Sequence, residues 1–129
     1  MLAIDSNVIV RYLTGDHPTQ SAPARALIND HDVFVSTTVL LETEWVLRSV
    51  YDFAACQIVT ALRAFAGLAR VTDEARRLTA QALDWSESGM DFADALHLGN
   101  AAECEAFVSF DRRFARIANR SGAVKVRLP

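Results

Sequence analysis

Four carboxylates, Asp5, Glu42, Asp94 and Asp111, each stand at or just beyond the end of a separate apolar segment. An alternating strand-and-helix chain delivers such side chains to one edge of a sheet, and four acids gathered there repel one another unless a cation compensates them. The pattern therefore predicts a divalent-metal site. Asp91 precedes Asp94 by one helical turn, and carboxylates at i and i+3 can share an ion or hold its waters. Ser6, Asn7 and Thr38 add short polar groups able to orient a ligand or a water. All-oxygen donors, with no histidine or cysteine cluster, favour Mg²⁺ or Mn²⁺ over zinc. Sites of that kind commonly serve phosphates, and paired ions about 4 Å apart can activate water and steady the leaving oxygen of a phosphodiester.

Each acid also has a plainer role. Asp5, Asp91 and Asp111 all precede a helix, where an aspartate caps the first turn. On a helical wheel for 37–51, Glu44 and Arg48 form an i,i+4 pair on a polar face. Glu42 falls instead among Thr38, Val39, Trp45, Val46 and Ser49, where an unpaired carboxylate is costly. A cation would answer that cost, as would a buried pair with Arg11 or Arg70. Asp94 shares a face with Leu98, Ala101 and Ala102 and is expected to turn inward, whereas His97 lies on another side and is expected to pack rather than ligate.

The elements needed to hold these residues follow from periodicity and punctuation. Leu2 to Ile4 is a short strand closed by Asp5. Val8 to Leu13 has helical spacing until Gly15 and Pro18, and alanine-rich Gln20 to Ile28 is a second helix. Val33 to Val35 is a strand, and Ser36 or Thr37 caps a helix to about Tyr51. Further helices are expected over Ala54 to Ala66, about Asp73 to Glu87, Asp91 to about Glu103, and Arg112 to Asn119. Weaker strands fit Ala69 to Thr72, Ala106 to Phe110 and Val124 to Val126. Strands separated by helices imply parallel pairing, hence an α/β fold with a parallel sheet of about five helix-flanked strands and ligands at the strands' carboxyl ends.

At 129 residues the chain has the size of one domain, and 51% hydrophobic with 22% charged residues is ordinary globular composition. No apolar stretch has membrane-spanning length and no secretory signal opens the sequence, so a cytoplasmic protein with no membrane partner is expected. Cys56 and Cys104 show no metal or redox spacing and are expected to fill the core. A net charge of −3 argues against a nucleic-acid partner on its sum alone, but the charge is unevenly spread. Arg112, Arg113, Arg116, Arg120, Lys125 and Arg127 occupy an acid-free C-terminal stretch, and the first three are candidate contacts for a polyanion.

Asp5-Ser6-Asn7, the segment Thr37 to Arg48 around Glu42, Asp91-Phe92-Ala93-Asp94-Ala95-Leu96-His97 and Phe110-Asp111-Arg112-Arg113-Phe114 together resemble the PIN-domain ribonucleases, and most closely the VapC toxin group. The resemblance covers the whole chain, with the motifs in the same order. It implies a single PIN domain over 1–129 with Asp5, Glu42, Asp94 and Asp111 as catalytic metal ligands and Asp91 as an auxiliary acid. It further implies a Mg²⁺- or Mn²⁺-dependent endoribonuclease acting on RNA such as tRNA or rRNA, a homodimer, and one half of a toxin–antitoxin pair. Other readings fit less well. A haloacid-dehalogenase phosphatase needs a second aspartate where Asn7 stands, and a receiver domain needs a phosphoacceptor where only Thr72-Asp73 is available. A non-catalytic PIN-like protein that only binds RNA or a partner differs by lacking metal-dependent turnover.

Overall fold

The computed structural model describes residues 1–129 and resolves them into two compact units, Met1–Arg76 and Arg77–Pro129. Seven helices and five strands alternate in the α/β order expected. All strand pairing is parallel, three strands in one sheet and two in another.

In the first unit, β1 (Leu2–Ala3), β2 (Val33–Val35) and β3 (Val71–Asp73) pair in that order, with Leu2 opposite Val33 and Val35 opposite Asp73. Val33 and Val35 are fully buried at the centre of this sheet. Between β1 and β2 run α1 (Ser6–Thr14) and α2 (Ser21–Asp30), and between β2 and β3 run α3 (Thr37–Ser49) and α4 (Ala55–Ala66). Helix α1 starts where Asp5 Oδ1 accepts from the Ser6 amide and stops at Gly15, whose φ of 64° is left-handed. A Cβ at Gly15 would meet only the movable end of the Arg25 side chain, so the left-handed φ is what favours glycine at that stop. Helix α3 starts where Ser36 Oγ accepts from the Val39 amide at 3.2 Å. Glu74 Oε2 also accepts from the Thr37 amide at 2.7 Å, which satisfies a second open amide of that turn.

The inward stripe of α3 is Leu40, Thr43, Glu44 and Leu47, an i, i+3, i+4, i+7 set. This corrects the wheel drawn from sequence. Glu44 is the buried acid, 5% exposed and held by Arg48 at 2.8 Å, whereas Glu42 is exposed and Trp45 is 53% exposed. Leu40 and Leu47 set the orientation of the helix against the pull of Trp45 and Val46, because the Glu44–Arg48 pair lets the carboxylate go inward with its charge compensated. Cys56 and Cys104 are also exposed, not core-filling. Two small side chains at solvent-facing helix and turn positions gave no periodic signal to separate them from core residues.

The second unit contains α5 (Arg76–Glu87) from its second residue on, α6 (Phe92–Asn100), β4 (Phe107–Val108), α7 (Arg112–Ser121) and β5 (Val126–Arg127). Helix α7 carries the chain from β4 to its parallel partner β5. Asn119 locks that crossover, its amide donating to the Val126 carbonyl and its oxygen accepting from the Val126 amide. Phe107 and Phe114 meet edge to face at 5.4 Å, and Gly122, with φ 70°, ends α7. Helix α6 stops at Asn100, a turn short of the expected Glu103, because residues 101–105 form turns. No helix is long and apolar enough to cross a membrane.

Leu40, 1% exposed, anchors the helix that carries Glu42. Leu40→Ala is expected to cost about 2–5 kcal/mol through lost burial and the cavity left behind. Urea denaturation should show a lowered midpoint at unchanged m-value.

Candidate metal centre

The first unit brings Asp5, Ser6 and Glu42 together. Asp5 leaves the carboxyl end of β1, and its Oδ1 is committed at 2.8 Å to the Ser6 amide. Ser6 is 2% exposed, and its hydroxyl donates to Glu42 Oε1 in a short contact and lies 3.5 Å from Asp5 Oδ1. A buried serine thus tethers an exposed glutamate of α3 to the start of α1. Neither Arg11 nor Arg70 takes the Glu42 role proposed for it: Arg11 donates to Gln20 and Tyr51, and Arg70 pairs with Asp32. Thr38 is exposed at the start of α3, with its hydroxyl 3.1 Å from that of Ser36. Asn7 is exposed and faces a groove of about 380 Å³ between α1 and α2, lined also by Val8, Arg11, Gln20 and Leu27.

In the second unit the charges of Asp91 and Asp111 both act on Asp94. Asp91 caps α6, its Oδ1 accepting from the Asp94 amide at 3.1 Å, and Asp111 caps α7, its Oδ1 accepting from the Phe114 amide at 2.9 Å. Ser109, which the sequence reading passed over, steadies the second cap: its hydroxyl accepts from the Asp111 amide at 3.0 Å. Serine two residues before a helix-capping aspartate is the signal that would have found it.

Asp94, one turn into α6, sits at intermediate exposure. Burial raises its pKa above the ordinary carboxylate value, the negative charges of Asp91 and Asp111 raise it further, and His97 opposes them. His97 itself is exposed, on a different side of α6 from the buried Phe92, Ala95 and Leu96. Arg112, Arg113 and Arg116 are exposed along α7, directly after Asp111.

Within neither unit do three carboxylate, histidine or cysteine groups converge into a finished metal cage. The donor chemistry nonetheless fits a hard cation. At Asp94, burial and the charges of Asp91 and Asp111 disfavour the ionised carboxylate, with His97 opposing them. That is the environment a Mg²⁺- or Mn²⁺-sized ion relieves.

The model of the PIN domain family matches residues 2–120, which takes in all of these acids. No curated protein matches the chain.

The sign of the Asp94 shift sets a stability test. Its folded-state pKa is raised, so the protonated form favours folding. The penalty is absent below the unfolded carboxylate pKa and complete once pH has risen through the folded one. Asp94→Asn should therefore raise the melting temperature of metal-free protein at pH 7, by on the order of 1–2 °C for a partly screened group. The gain should vanish at acid pH. Mn²⁺ should stabilise the wild type more than the variant, as differential scanning fluorimetry would show.

Proposed function

The chain belongs to the PIN domain family, a superfamily of metal-dependent nucleases, and from that membership we propose that it is a Mg²⁺- or Mn²⁺-dependent endoribonuclease and the toxin of a toxin–antitoxin pair. The observation that carries the reading is the PIN family match over residues 2–120, which takes in Asp5, Glu42, Asp91, Asp94 and Asp111; burial, with the charges of Asp91 and Asp111, also raises the Asp94 pKa, a setting that favours a cation. Asp5, Glu42, Asp94 and Asp111 are the proposed metal ligands, with residues 1–129 working as one domain. When bound, the ion supplies Lewis acidity toward a phosphoryl oxygen and lowers the pKa of a water.

The remaining work falls to the protein's own side chains. Ser6 holds Glu42 in one rotamer through its hydroxyl hydrogen bond, which removes freedom that an exposed glutamate would otherwise have to lose on binding. Asp5 and Asp111 are fixed by their own helix caps. Asp91 supports Asp94 by capping the helix on which it rides. Asn7 and Thr38 are assigned to orienting the attacking water or the RNA, and Arg112, Arg113 and Arg116 to the flanking phosphates, where a guanidinium can engage two oxygens at once. In-line attack of water on a phosphodiester of a tRNA or rRNA is the reaction. A cytoplasmic homodimer restrained by a cognate antitoxin completes the proposal.

Purified, antitoxin-free protein incubated with a total tRNA and rRNA pool is expected to yield discrete fragments in Mn²⁺ or Mg²⁺ and none in EDTA. Asp94→Asn should slow cleavage by at least about 100-fold while leaving the fold intact by circular dichroism. Cleavage indifferent to both EDTA and Asp94→Asn would overturn the metal mechanism. A folded protein that binds Mn²⁺ yet cuts nothing would overturn the nuclease assignment in favour of a binding role.

A further inference from the structure

Phe110 is the most exposed large apolar side chain of the protein, 84% open to solvent. Burying such a ring is favourable, a gain this fold leaves untaken. The contrast is local: Phe107 and Phe114, three residues before it and four after, are packed against each other. Nor is Phe110 carried on a loose end. Ser109 before it donates its amide to the Arg127 carbonyl at 3.0 Å, and Asp111 after it is held by the Ser109 hydroxyl and by its own cap on Phe114. The ring is displayed from an anchored corner between β4 and α7.

Its surroundings specify what the ring would meet. Val108, two residues back at the end of β4, is 49% exposed, and its strand neighbour Arg127 is exposed beside it. Arg112 and Arg113 follow at once, and no acid occurs from 112 to the end of the chain. A flat apolar face among guanidinium groups suits single-stranded nucleic acid, whose bases stack on aromatic rings while arginines take the backbone. Asp111 is the adjoining residue, and neighbouring Cα atoms are only about 3.8 Å apart. On the nuclease reading, a base on Phe110 would thus lie close to the candidate site.

We infer that Phe110 is a substrate-binding residue, its ring stacking on an unpaired nucleobase beside the scissile phosphodiester while Arg112 and Arg113 engage the backbone. This rests on the nuclease reading above and adds to it a base-stacking contact made by Phe110.

The test measures binding and turnover separately, for wild type, Phe110→Ala and Phe110→Trp. Binding of a fluorescently labelled, unstructured RNA is followed by anisotropy in Ca²⁺, and cleavage of the same strand is timed in Mn²⁺. Phe110→Ala should weaken binding about tenfold and raise KM correspondingly, with kcat and melting temperature unchanged. Phe110→Trp should bind like wild type, with indole fluorescence quenched by RNA beyond the quenching seen from Trp45 and Trp85 in the wild type. Unchanged affinity in Phe110→Ala, with wild type cleaving normally, would overturn the stacking role and leave the nuclease standing. A Phe110→Ala protein that keeps its RNA affinity but changes oligomeric state on size exclusion would assign the ring to a second copy of the chain instead. Wild type that neither binds nor cleaves would overturn the nuclease reading itself.

Discussion

Helix capping by aspartate is the constraint on which the rest of this structure depends. Asp5, Asp91 and Asp111 each close an open first turn, of α1, α6 and α7, and each does so through Oδ1. A cap of this kind is worth about 1 kcal/mol and fixes the side chain's rotamer in forming. Two of the acids proposed to bind metal, Asp5 and Asp111, are therefore positioned by the same bonds that start the helices, and Asp91 starts the helix that carries a third, Asp94. Capping and ligation are two uses of one geometry: the cap commits one oxygen of the carboxylate, and the backbone then dictates where the second points. The positive end of each helix favours the ionised carboxylate. At Asp94, which caps nothing, burial and its two acidic neighbours outweigh that help.

The two groups of acids are stabilised in different ways. Around Asp5 and Glu42 the compensation is neutral and already present: a buried serine hydroxyl and backbone amides satisfy carboxylate oxygens without adding charge. Around Asp94 the compensation is incomplete, with two like charges and burial set against a single histidine. A cation would thus gain most of its electrostatic advantage in the second unit. In the first it would find ligands already ordered, so less rotamer freedom would be lost when they bind.

What the sequence made legible was the punctuation. Val33–Val35 emerged as the strand expected, Ser36 capped α3, and Asp91 and Asp111 capped the helices after them, because capping and strand-end turns are decided by a few neighbouring residues. Rotation of α3 about its own axis was not legible. It depends on which of two stripes, Leu40 with Leu47 or Trp45 with Val46, finds partners, and that is set by distant residues. The misplaced burial of Glu42 and Glu44 follows from that single rotation. Glu42 instead meets Ser6 from an exposed position, its carboxylate held by a hydrogen bond where the wheel had invoked burial.

Charge distribution then explains how an acidic protein can be reconciled with a polyanionic substrate. Six of the thirteen basic residues and none of the sixteen acids lie in residues 112–129, so the net charge of −3 averages a strongly acidic body with a basic C-terminal stretch. That stretch begins at the residue after Asp111, so the switch in sign falls at the candidate site itself. Fields from the two regions oppose each other at long range, and screening over about 8–10 Å at physiological salt confines each to its own neighbourhood. A phosphate brought to α7 therefore responds chiefly to Arg112, Arg113 and Arg116, and the carboxylates beside them repel it until a cation reverses their local charge. On the proposed nuclease reading, metal loading would therefore favour RNA binding as well as chemistry, because the acid and basic stretches meet at Asp111 and Arg112.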